Sequence, residues 1–119
     1  GRLFEGHPQM MSESLNKLSS LDGATEVYCT HEYTLANLAF ATAADPDNEK
    51  LRARLAVEQE KRELGQPTLP STIQLERETN PFLRCENSDI IRVLRQRSVT
   101  SLETPAEVFG ALRSWKDNF

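Results

Sequence analysis

Histidine and cysteine are scarce in this chain, two of each among 119 residues, and that scarcity excludes a good deal. A zinc site takes three or four nitrogen, sulfur or oxygen donors from the protein. No Cys-x-x-Cys, His-x-His or His-Glu-x-x-His spacing occurs, and His7 and His31 stand far apart. Cys29 and Cys85 make neither a disulfide framework nor a metal motif. Reduced thiols in a cytoplasmic setting are the expectation. No apolar run approaches the length that spans a bilayer, and no stretch reads as a signal peptide. The net charge of −4 removes any general attraction to nucleic acid or an anionic membrane, so neither is an expected partner. Internal repeats and low-complexity tracts are missing too.

What remains is the balance of a soluble globular domain, 38% hydrophobic, 27% charged and 7% aromatic, enough for one modest core. In "HPQMMSESLNKLSSLDG", Met11, Leu15 and Leu18 form one stripe, Pro8 lies near the first position and Gly23 just beyond the end. That pattern predicts a short helix. "EVYC" reads as a strand. From about Tyr33 to Ala44 the pattern is helical and apolar nearly all round, which predicts a buried helix. Asp45 is expected to cap the next helix, with Pro46 as its first residue. That helix runs to about Leu64. Its charges cover most of the circumference, with Leu51 and Leu55 on one side and Val57 and Leu64 on another. Gly65 and Pro67 end it. Pro67, Pro70 and Pro81 forbid a continuous helix in the next stretch, leaving a linker with a short helical or strand-like piece around residues 73–77. Residues 88–97 form another helix. In "TPAEVFGALRSWKDNF", Thr104 and Glu107 make a capping box with Pro105 at the first position. Gly110 weakens that last helix by ~1 kcal/mol relative to alanine.

Two places carry chemistry. At about 100° per residue, Val108, Leu112, Trp115 and Phe119 share a stripe that faces the core. Phe109, Arg113 and Lys116 cluster roughly a quarter turn away. An arginine fork beside a lysine point charge can hold a carboxylate or phosphate. The same two cations also read as ordinary solvated charges, one of them bonded to Asp117 or a nearby glutamate. The second place is the strand-to-helix corner with His31 and Tyr33. A lone histidine is more often structural than a ligand, Glu32 faces away from it, and Cys29 two residues earlier is not by itself a Cys–His dyad. Capping, metal ligation and base catalysis all stay open there.

Four stretches, "GRLFEG", "VYCTHEYTLANLAFA", "PSTIQLERETNPFLR" and "LRSWKDNF", together resemble the C-terminal part of hydroxyacylglutathione hydrolase, or glyoxalase II, in the metallo-β-lactamase superfamily. The likeness runs end to end with the motifs in order. It implies a mainly α fold, the helical domain of glyoxalase II preceded by the last helix and strand of an αββα metal domain. Residues 1–31 would be the remnant of that metal domain and residues 32–119 the glutathione-binding domain. The implied reaction is hydrolysis of S-(R)-lactoylglutathione to D-lactate and glutathione, in methylglyoxal detoxification. The family uses a two-metal site, commonly zinc with iron or manganese tolerated.

Position by position, the resemblance implies that His31 is the last metal-binding histidine and that Tyr33 contacts the glutathione moiety. It makes Arg113 and Lys116 the pair that holds the glycine carboxylate. Arg2 falls where the family often has a lysine that also contacts glutathione. Phe4 falls where some members have a substrate-contacting tyrosine, and phenylalanine brings no hydroxyl to that place. The family's Thr-His-x-His-x-Asp-His motif does not occur in these residues. The chain is therefore expected to be a C-terminal fragment whose partner is a missing metal-binding half. Alone it should be inactive and hold zinc only weakly, and its first strand should lack a ladder partner. A stand-alone helical binding module and another thioesterase of the superfamily are the alternatives.

Overall fold

The computed structural model describes residues 2–3, 5–97 and 100–119. Its elements are α1 (Pro8–Ser19), β1 (Glu26–Val27), α2 (Thr34–Ala44), α3 (Glu49–Glu63), β2 (Ser71–Thr72), α4 (Ile73–Thr79), a 3-10 turn (Pro81–Leu83), α5 (Ser88–Arg97) and α6 (Pro105–Asp117). The fold is mainly α. Among the described residues no helix is long and apolar enough to cross a membrane.

Local chemistry accounts for most of the boundaries. His7 caps α1 through its ring, Nδ1 accepting from the Met10 amide at 3.4 Å. Thr104 caps α6, its hydroxyl oxygen accepting from the Glu107 amide at 3.2 Å. Gly65 ends α3 with φ at +71°, the left-handed conformation that glycine adopts without a Cβ clash. The Gly65 amide then donates to Arg62 O at 3.1 Å and the Gln66 amide to Lys61 O at 2.8 Å, the paired bonds of a Schellman motif.

The start of α3 differs from the sequence expectation. Asn48, not Asp45, is its N-cap, accepting from the Leu51 amide at 3.2 Å. Asp45 is buried and closes α2 instead. Its carboxylate accepts from Arg84 Nε at 3.2 Å and Asn48 Nδ2 at 2.9 Å. A buried carboxylate with two donors is worth more here than a solvent-facing cap, so the helix start moves along to Asn48.

Helix α2 lies between two apolar clusters. Phe40 and Ala44 pack with Ile90, Leu94, Val108, Phe109 and Leu112. Leu38 and Ala41 pack with Leu51. Each large apolar side chain removed from water contributes about 1.5–3 kcal/mol. The helix is not buried all round, however, because Ala36, Asn37 and Ala39 stay exposed. On α6, Val108 and Leu112 are buried as the periodicity predicts. Phe119 is not: it is 62% exposed, although its ring meets Phe40 edge-on at 5.4 Å. It lies past the helix end, where the helical angle no longer applies. Phe109, placed by its angle at the edge of the core, is buried within it. Leu18, Val57 and Leu64 are exposed, so those parts of the predicted stripes are solvated.

The first strand has a ladder partner. β1 pairs antiparallel with β2, Glu26 opposite Thr72 and Val27 opposite Ser71, contrary to the expectation of an unpaired edge. The proline-rich stretch read as linker supplies that partner. The contact continues where the Ile73 amide donates to Thr25 O and the Gln74 amide to Gly23 O, both at 2.9 Å. Arg77 donates to Ser19 O at 2.6 Å and also to Leu21 O. Met11 and Leu15 of α1 pack on the main core.

Candidate ligand-binding site

A cavity of about 220 Å³ opens between the 28–33 stretch, α2, α4 and α6. Cys29 and His31 line it from the first, Arg113 and Lys116 from α6, and Arg54, Glu76 and Asn80 from below. Three of the residues singled out in the sequence, His31, Arg113 and Lys116, therefore face one cavity.

Arg113 and Lys116 reach it because they sit one turn apart on α6, beside the face that carries Val108 and Leu112 into the core. Asp117 fixes Arg113, accepting from Nε at 3.0 Å and lying 2.7 Å from Nη2. The ordinary reading of that arginine as paired with Asp117 thus holds. Among the described residues no acceptor takes Nη1, which leaves one edge of the fork for a ligand. The Arg113 guanidinium lies 5.3 Å from the centroid of the Phe82 ring.

Lys116 has no carboxylate partner within salt-bridge distance among the described residues. Its ammonium is 6.0 Å from the Phe40 ring centroid. Partial burial, first, and the charge of Arg113, second, hold its pKa below the usual lysine value. Asp117 opposes the shift and Arg2 adds to it. Arg2 therefore shares the field of the pair, although it does not line the cavity. A lysine whose charge is disfavoured by neighbouring cations marks a place where an anion is favoured.

Tyr33 does not line the cavity. It is 53% exposed, at the N-terminal boundary of α2. Its ring stacks on His31, with centroids 4.8 Å apart and planes 14° apart. It thus borders the cavity through His31. Phe4 lies outside the described residues.

The site thus presents a cationic end at Arg113 and Lys116 and an imidazole with a stacked tyrosine at the other side. The family model described as "Hydroxyacylglutathione hydrolase C-terminus" matches residues 32–119. The chain belongs to that family. It is 51% identical to the hydroxyacylglutathione hydrolase of Ectopseudomonas mendocina over 119 residues, covering 100% of this chain and 46% of the relative. It is 50% identical to that of Nitrosomonas europaea, covering 45% of that protein, again over 100% of this chain. It is 52% identical to that of Pseudomonas aeruginosa, covering 46% of that protein and 100% of this chain. The chain thus spans just under half the length of these relatives.

Among the described residues no group of three or more His, Cys, Asp or Glu side chains is placed to hold a metal ion. His31 is an exposed single donor, against the three or four that a stable site needs.

Sequence reasoning missed the polar floor of the cavity. Arg54 is buried. Its Nη1 donates to Thr79 Oγ1 at 2.7 Å and lies 3.0 Å from Glu76 Oε1, while its Nη2 donates to Ser71 Oγ at 3.3 Å. Ser71 Oγ donates to Glu76 Oε1 at 2.7 Å and Asn80 Nδ2 to Glu76 Oε2 at 3.0 Å. The one available signal was spacing. Leu51, Arg54 and Glu58 all fall on the buried face of α3, at i, i+3 and i+7.

Proposed function

We propose that this chain is the glutathione-binding portion of a thioester hydrolase that converts S-(R)-lactoylglutathione to D-lactate and glutathione. The observation that carries the reading is the cavity that joins His31 to Arg113 and Lys116. Arg113 offers Nη1 and Lys116 its ammonium to the glycine carboxylate of the tripeptide. Arg2 adds positive potential, and Tyr33 lies against the thiol-bearing part of the ligand. These contacts fall on groups remote from the thioester. They orient the substrate rather than act on the bond that breaks. In this reading residues 1–31 belong with a metal-bearing domain and residues 32–119 form the substrate-binding one. His31 is a single donor to a zinc-type centre whose other donors are not among these residues.

Contacts made equally in the ground and transition states set KM and leave kcat nearly alone. A charge-assisted hydrogen bond contributes roughly 1.5–3 kcal/mol, about ten- to a hundredfold in affinity. Steady-state hydrolysis by a protein that carries this chain together with its metal-bearing part tests the reading. Arg113→Ala and Lys116→Ala should each raise KM by about that factor. A large fall in kcat at unchanged KM would refute the carboxylate assignment.

A further inference from the structure

His31 and Tyr33 lie in a stretch with no regular structure between β1 and α2, and both are exposed. The Tyr33 carbonyl accepts from the Asn37 amide at 2.9 Å as the N-cap of α2, whereas His31 belongs to no helix or sheet ladder. Glu32 lies between them in the chain. The His31 and Tyr33 rings stack on each other, while Glu32 bonds to Thr68, 36 residues along the chain.

Thr68 is well placed to hold it. It is 2% exposed and belongs to the irregular stretch between α3 and β2. Its backbone amide donates to Glu32 Oε2 at 3.0 Å, and its hydroxyl donates to Glu32 Oε1. The Thr68 hydroxyl oxygen also lies 2.6 Å from Thr34 Oγ1, at the first turn of α2. A hydroxyl has one proton and two acceptor lone pairs. With the Thr68 proton committed to the carboxylate, the Thr34 hydroxyl donates to Thr68. The chain of bonds Thr34–Thr68–Glu32 therefore ties the residue between His31 and Tyr33, and the residue after Tyr33, to one buried side chain. The next residue, Leu69, lines the cavity.

We propose that Thr68 is a positioning residue of the ligand site: through Glu32 and Thr34 it holds the 28–33 stretch so that His31 and Tyr33 stack at the cavity mouth. The consequence for affinity rests on the binding role proposed above; the consequence for the stacked pose does not.

The experiment uses the 119-residue chain and the variants Thr68→Val, Thr68→Ser and Glu32→Ala. The ring proton resonances of His31, assigned with a His7→Gln variant, report stacking by their ring-current shift. Titration with S-lactoylglutathione reports affinity, and a thermal melt reports global stability. Thr68→Val should move the His31 resonances toward those of an unstacked imidazole and weaken the thioester by about three- to tenfold. Thr68→Ser keeps the hydroxyl and should restore both. Glu32→Ala, at an exposed site that carries little folding risk, should reproduce the His31 shift even where Thr68→Val melts too low to study. Unmoved His31 resonances in Thr68→Val and Glu32→Ala would overturn the proposal, as would a Thr68→Ser variant no better than Thr68→Val. If the parent chain fails to bind the thioester, the binding role falls, and the ring shifts still decide the positioning role.

Discussion

Removing the charge of Glu76 should cost more stability than any other single polar change at the cavity. Its carboxylate is the counterion of Arg54, whose side chain is only 7% exposed and lies 3.0 Å away. Ser71 and Asn80 also donate to it. Glu76→Gln keeps the shape and one acceptor oxygen but leaves a buried guanidinium without an opposite charge. Breaking one side of a buried pair costs about 3–5 kcal/mol. The Glu76 side chain is 18% exposed, so water relieves part of that and the low end, about 3 kcal/mol, is expected. For a chain of this size about 3–6 °C in Tm accompanies each kcal/mol, which gives a fall of about 10–20 °C. Urea and thermal unfolding followed by circular dichroism measure it. Arg54→Met on the Glu76→Gln background removes the orphaned charge and should recover at least ~1 kcal/mol of the loss. A Glu76→Gln variant within about 0.5 kcal/mol of the parent would refute the reasoning. So would a double variant whose loss equals the sum of the two singles.

Burial first, and the charge of Glu86 second, push the Cys85 thiol up to about 12, whereas Cys29 is exposed. A maleimide at pH near 8 should therefore label Cys29 alone in the native chain and Cys85 only after denaturation, read by mass. Gly110→Ala should stabilise the fold by about 0.5–1 kcal/mol, because the new methyl would sit at ordinary contact distance, 3.5 Å from Pro8 Cγ; an unfolding titration showing a loss would mean that α1 and α6 are packed more tightly than this. The lowered pKa of Lys116 makes its charged form a cost to the fold, present at neutral pH and relieved as pH rises past the lysine range. Carboxylate affinity should run the other way, full at neutral pH and falling as Lys116 discharges, earlier than for an ordinary lysine. Lys116→Gln should abolish that alkaline limb in a binding titration.

The parts of the fold legible in the sequence are those governed by neighbours along the chain. The Thr104–Glu107 capping box, the glycine at the end of α3 and the helix at residues 88–97 all depend on contacts within a turn or two. Asp45 and Pro46 made an equally good local start signal for α3. It was overridden because Arg84, far along the chain, claims the Asp45 carboxylate. Arg54 looked like one more charge on a solvated helix, since its partners Ser71, Glu76 and Thr79 lie in a later, proline-rich stretch. The Glu32–Thr68 clamp left no trace for the same reason. At the cavity, helical spacing alone placed Arg113 beside Lys116 but left both their roles open. His31 came to the same cavity only through the tertiary fold.

The central claim is that Arg113 and Lys116 hold the terminal carboxylate of a glutathione-type ligand. It is tested most directly by pairing a change in the ligand with a change in the protein. Glutathione and its analogue with a C-terminal glycinamide are titrated into the 119-residue chain, and into Arg113→Ala and Arg113→Ala/Lys116→Ala variants, by NMR shift perturbation. In the parent chain, losing the carboxylate should weaken binding about tenfold or more. In the double variant the two ligands should bind alike, because the partners of the carboxylate are gone. An amide penalty that stays the same with or without Arg113 and Lys116 would contradict the claim.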